Sequence, residues 1–179
     1  MLDIENTVLL IIDIQGKLAH LMDRKEMMFS NVQKLIKGVQ VLGIPILWVE
    51  QNPKGLGPTI PEIATLMPDI EPIGKMSFSS CGNDQFMQAL KALGRKQILV
   101  SGIEAHICVY QTTADLLVLG YEVQVAADAV SSRNSENKEI GLQRMKDLGA
   151  GLTCVETALF ELLKVAEGEQ FKQIIRIVK

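Results

Sequence analysis

Histidine is nearly absent from this 179-residue chain, with only His20 and His106, and the three cysteines, Cys81, Cys108 and Cys154, are odd in number and far apart. A zinc-type site and a disulfide framework are therefore both unexpected, and the cysteines read as free thiols of a reducing compartment. Long apolar runs are missing as well: none approaches the roughly 18 uncharged residues of a membrane span. Asp3 and Glu5 stand where a secretory leader would be positive. Nor is there a basic excess, because the formal net charge is −3, which offers nothing to nucleic acid or anionic lipid. The expectation is a cytoplasmic protein, with mitochondria left open for a eukaryotic source, that uses no metal or organic cofactor and binds neither nucleic acid nor membrane.

What is present is a composition 47% hydrophobic and 22% charged, enough to bury one core over residues 1–179 as a single domain. Short runs rich in branched residues recur at Thr7–Ile12, Ile44–Val49, Gln97–Ser101, Glu122–Ala126 and Leu152–Val155, and read as strands. Between them apolar residues repeat at helical spacing, as in Met28, Val32, Leu35, Ile36, Val39 and Leu42. Gly43, Gly94, Gly120 and Gly149 each follow such a stretch, where a left-handed helix stop suits glycine. Strands that are apolar along their length and alternate with helices predict an α/β fold: a doubly wound, mainly parallel sheet with helices on both faces, giving three layers.

Residues 52–84 carry five of the six prolines and four glycines. They read as a long surface excursion, a candidate lid, interrupted by a short strand near Ile70–Ile73. Phe171, Ile174, Ile175 and Val178 form an apolar stripe on a last helix, suited to packing on the domain or on a second subunit.

Open α/β sheets bind ligands beyond the carboxyl ends of their strands. Asp13 ends the first strand, Lys75 follows the short one, and Cys108 opens the helix after Gln97–Ser101. A thiol at a helix N-terminus beside an ammonium is expected to favour thiolate, and a carboxylate can carry its proton to a leaving group. Taken singly, each residue has a plainer reading as core cysteine, solvated lysine or helix cap. Cys81 is a second-choice nucleophile and Cys154 reads as strand core. His106, on the turn entering the helix, is expected to point away from Cys108. Leu18, Trp48 and Phe78 are candidate pocket-lining residues.

The segments Leu9-Leu10-Ile11-Ile12-Asp13-Ile14-Gln15, Gly74-Lys75-Met76-Ser77-Phe78-Ser79 and Val100-Ser101-Gly102-Ile103-Glu104-Ala105-His106-Ile107-Cys108-Val109 resemble the three active-site motifs of isochorismatase-like cysteine hydrolases, in the same order. The stretch Glu50–Pro58, together with Gly102–His106, is further similar to the isochorismatase-domain-containing subgroup of mitochondria and bacteria. The resemblance implies six parallel strands, Asp13, Lys75 and Cys108 as catalytic trio, and a homo-oligomer. It also implies a cis peptide between Ile103 and Glu104 that aims the backbone N–H groups of Glu104 and Cys108 at an oxyanion.

Departures from the pattern narrow the expectation. Trp48-Val49-Glu50-Gln51-Asn52 lacks the metal-holding histidines of nicotinamidase relatives, which argues against a metal and against nicotinamide as substrate. Glu104 replaces a threonine common in the family, and its side chain is expected to point away from the oxyanion. The leading expectation is cofactor-free hydrolysis of a small amide or related carbonyl compound through an acyl-cysteine. The alternatives are a non-catalytic ligand-binding or assembly protein on the same fold, and vinyl ether hydrolysis.

Overall fold

The computed structural model describes all residues, 1–179. Six strands, β1 (Thr7–Ile12), β2 (Ile46–Gln51), β3 (Ile73–Lys75), β4 (Gln97–Ile103), β5 (Glu122–Ser131) and β6 (Gly151–Thr153), form one sheet in the order β3-β2-β1-β4-β5-β6. Every neighbouring pair is parallel. Alternation along β1 fixes the layers. Leu9 and Ile11 join one apolar cluster, while Val8, Leu10 and Ile12 join the other, because successive side chains leave a strand on opposite faces.

The first cluster is closed by α2 (Lys25–Val41), α8 (Val155–Leu163) and α9 (Gly168–Val178). The second is closed by α5 (Asp84–Ala92), α6 (Tyr110–Val118) and α7 (Ser135–Asp147). Short helices α1 (Gly16–Ala19), after β1, and α3 (Pro53–Leu56), after β2, lie against each other, and α4 (Pro61–Ala64) packs on α2. The three-layer expectation is met, and each expected strand is present with ends moved by a few residues.

Three readings need correction, and one left open between two alternatives is decided. Residues 52–84 are not an open excursion: Pro53 and Pro61 each start a helical turn, and β3 begins at Ile73 rather than Ile70. Cys154 lies just beyond β6 and caps α8, where its sulfur accepts from the Thr157 N–H at 3.4 Å. Of the two packings open to the C-terminal stripe, the one on the domain is found, with Ile174 fully buried and Phe171 and Val178 packed on the first cluster. Finally, the peptide between Ile103 and Glu104 is trans, as every peptide in the chain is. The chain turns there by other means: Gly102 has φ 145°, and Glu104 is left-handed at φ 54°, ψ 60°.

The strand order reverses between β1 and β4, which opens a crevice at their carboxyl ends. Ile12 of β1 pairs with Gly102 of β4 on one side and with Val49 of β2 on the other. The residues that follow these strands therefore share one edge of the sheet.

Candidate active site

Asp13, Asn52 and Glu104 follow β1, β2 and β4 directly, and each has positive φ, at 58°, 38° and 54°. Left-handed backbone at a residue other than glycine costs on the order of 1 to 2 kcal/mol, and such strain gathers where geometry serves a ligand. At Asp13 the turn is held by its N–H donating to the Val49 carbonyl at 3.1 Å.

Register brings Lys75 to the same edge, since Gln51 of β2 pairs with Lys75 of β3. The Lys75 side chain is 0% exposed. Its ammonium donates to Asp13 Oδ2 at 2.8 Å, to Gln51 Oε1 at 2.7 Å and to the carbonyls of Phe78 and Ser77 at 3.1 and 3.3 Å. A buried ammonium is tolerable only with such partners. The other Asp13 oxygen, Oδ1, is buried and lacks a well-formed hydrogen bond.

Cys108 sits in a π-type turn, Ala105–Val109, that leads into α6. Turns of this kind recur at functional sites. Its thiol is pushed up to about 12, first by burial and then by the Asp13 carboxylate, with Lys75 opposing. Asp13 is itself raised from the ordinary carboxylate value by burial, against the pull of Lys75 and of the thiol. The expected preference for thiolate meets opposition here, because burial first and the neighbouring Asp13 second both disfavour ionising the sulfur, and Lys75 offsets them only in part. The Glu104 N–H, between β4 and this turn, donates to no backbone or side-chain acceptor. His106 Nδ1 bonds Ser132 Oγ at 3.0 Å, away from the thiol, as expected.

Asp13, Glu104 and Cys108 open on a cavity of about 240 Å³, below the roughly 300 to 1,000 Å³ of drug-sized sites, with Lys75 behind Asp13 and outside the lining. Its walls are apolar at Leu18, Leu56, Phe78, Ile103 and Ile107. Asp13, Gln51, Cys108, Glu104 and Arg133 add polar groups. Leu18 and Phe78 fall where the sequence put them, whereas Trp48 does not. Its indole is core and donates to Thr59 Oγ1 at 2.8 Å, and Thr59 in turn bonds Glu50 Oε1. Glu104 does not point away from the site, because Arg133, which lines the same cavity, binds its Oε1 through Nε.

Sequence reasoning missed Gln51 and Arg133. Gln51 carried a signal, being the polar residue that ends an apolar strand. Gln15 was quoted only as part of a motif, yet it is fully buried and fastens the edge: its Nε2 donates to the Gln51 and Gly57 carbonyls, and its Oε1 accepts from the Gln51 N–H. No three His, Cys, Asp or Glu side chains gather as metal ligands. Cys81 lies outside the cavity, its thiol pushed up to about 11 by burial.

Comparison with known proteins gives the family and the fold. Residues 7–157 match the isochorismatase domain. The chain is 35% identical to isochorismatase domain-containing protein 2 of Danio rerio, over 99% of this chain and 89% of that protein. The solved MAR1 ribonuclease from Caenorhabditis elegans superimposes with a TM-score of 0.92 at 33% identity, covering 99% of this chain and 91% of that one. YcaC from Pseudomonas aeruginosa, solved with hexane-2,5-diol and covalent acrylamide, gives a TM-score of 0.92 at 26% identity, covering 98% and 90%.

Proposed function

Because the chain belongs to the isochorismatase family, we propose that its crevice hydrolyses a small amide or related carbonyl compound through an acyl-Cys108 intermediate. The observation that carries this reading is the division of labour on Asp13: Oδ2 is spent on Lys75 while Oδ1 stands unpartnered in the site that holds the thiol.

As sulfur attacks the carbonyl carbon, its proton passes to Asp13 Oδ1 and the C=O electron pair moves onto oxygen. The backbone N–H groups of Glu104 and Cys108 receive that oxyanion. Collapse of the intermediate breaks the C–N bond, and Asp13 returns the proton to the departing nitrogen. Water, deprotonated by Asp13, then attacks the thioester, and sulfur leaves and regains its proton. Lys75 holds Asp13 in register and opposes the upward push of burial on its carboxyl. No cofactor enters the scheme.

A cavity of about 240 Å³ in a chain of net charge −3 favours a small substrate over the polyanion suggested by the name of the C. elegans relative. Acrylamide, the covalent group in the P. aeruginosa relative, is a suitable probe. Because Asp13 can take the thiol proton during attack, intact-mass and peptide mapping should find Cys108 modified although its thiol is harder to ionise than that of Cys81, and the label should be lost in Asp13→Asn. An amide screen should give turnover that Cys108→Ala abolishes. Labelling confined to Cys81 or Cys154, or turnover surviving in Cys108→Ala, removes the proposal.

A further inference from the structure

Charge in the cavity is arranged in two pairs at different places. Lys75 and Asp13 satisfy each other beside the sulfur, and the lysine has no donor to spare, with four acceptors around its ammonium. The second pair is Arg133 and Glu104. Glu104 is fixed, its side chain 8% exposed, while Arg133 is 56% exposed and lines the cavity. A guanidinium commonly meets a carboxylate with two parallel bonds, but here only Nε is engaged, on Oε1. The second carboxylate oxygen, Oε2, is buried without a hydrogen bond and lies 3.3 Å from His106 Nδ1. Neither terminal nitrogen of Arg133 has a protein acceptor.

Glu104 thus fixes the orientation of the guanidinium without consuming its fork. The remaining walls, Leu18, Leu56, Phe78, Ile103 and Ile107, carry no charge. A fork held by a buried carboxylate, lining the same apolar cavity as Cys108, suits a ligand with a planar anion at one end and a carbonyl at the other.

We infer that Arg133, oriented by Glu104, binds a substrate carboxylate end-on through its two terminal nitrogens, so that the substrate class is a small carboxylate-bearing amide or related acyl compound. The inference rests on the acyl-transfer reading of the crevice for the substrate's reacting end, although the anchor itself is a matter of binding. It gives Glu104 a positioning role, acting on the substrate through Arg133.

Succinamate and butyramide serve as matched probes, since they share an amide and a chain length and differ in a terminal carboxylate. In calorimetric titration of Cys108→Ala, which cannot turn either over by the proposed route, succinamate should bind about tenfold to a hundredfold more tightly, the range expected for charge-assisted pairing. Combining Cys108→Ala with Glu104→Gln and Arg133→Gln removes both charges together, and should erase the preference, so that succinamate and butyramide bind that variant equally. Should that variant fail to fold, Arg133→Lys keeps the charge without the fork and should weaken succinamate severalfold. Equal binding of the two probes, binding of neither, a preference that outlives Arg133, or full affinity in Arg133→Lys each overturns the inference. Ammonia release by the wild type separates the two claims. A binding preference without hydrolysis counts against the hydrolase alone, and equal hydrolysis of both amides counts against the anchor alone.

Discussion

A thiol held near 12 behaves differently from the activated thiolates of many cysteine enzymes. Below that value each pH unit raises the thiolate fraction about tenfold. Alkylation of Cys108 by iodoacetamide should therefore climb by about that factor per unit from pH 7 to 10 without levelling, and a plateau near neutrality would show a resting thiolate instead. Asp13 must be ionised to accept the proton, and burial raises it above the ordinary carboxylate value. The acid limb of kcat/KM should accordingly fall at a higher pH than a free aspartate would give, and it should vanish with the residual activity of Asp13→Asn. Lys75 adds a stability prediction. Lys75→Met strands a buried carboxylate and should cost about 3 to 5 kcal/mol in urea unfolding, with much of that recovered when Asp13→Asn is added.

Among the elements, α7 packs closely against the turn that carries Cys108. Gly141 lies against the π-type turn so closely that a Cβ there would sit 2.9 Å from the Ala105 carbonyl carbon and oxygen and from His106 Cα. An open helix site gains up to about 1 kcal/mol from Gly→Ala, but here the added methyl presses on backbone. Gly141→Ala should instead destabilise by about 1 to 3 kcal/mol and alter the Cys108 alkylation rate, and a net gain in stability would show that the helix has slack. The strands and helix stops were legible at this scale because their signals are local: Gly43, Gly94, Gly120 and Gly149 all have positive φ, at 69°, 65°, 81° and 104°. Lys75 was legible through its motif. Gln51 and Arg133 were not, since an amide at the end of β2 and a guanidinium beyond β5 acquire roles only when the sheet sets them beside Lys75 and Glu104. Trp48 was misassigned for a related reason: proximity in sequence to a site says nothing about the face of the strand.

Taken whole, the molecule uses both faces of its sheet for stability and one edge for chemistry, and no helix is long and apolar enough to cross a membrane. The stripe on α9 packs inside the chain through Phe171, Ile174 and Val178, so a homo-oligomer has no need of it. Val118 is 87% exposed, and Leu119 and Leu148 are exposed too, which is costly unless they are covered. Sedimentation velocity should show a species larger than the monomer, and Val118→Lys should shift it toward monomer if that helix end is the contact; an unassociated wild type would end the expectation. Trp48 is the single tryptophan of the chain, and its indole N–H is tied to Thr59 on the same segment that carries Leu56 to the cavity. The protein thus carries an intrinsic optical reporter, whose emission can follow the seating of one cavity wall during ligand titration with no label attached.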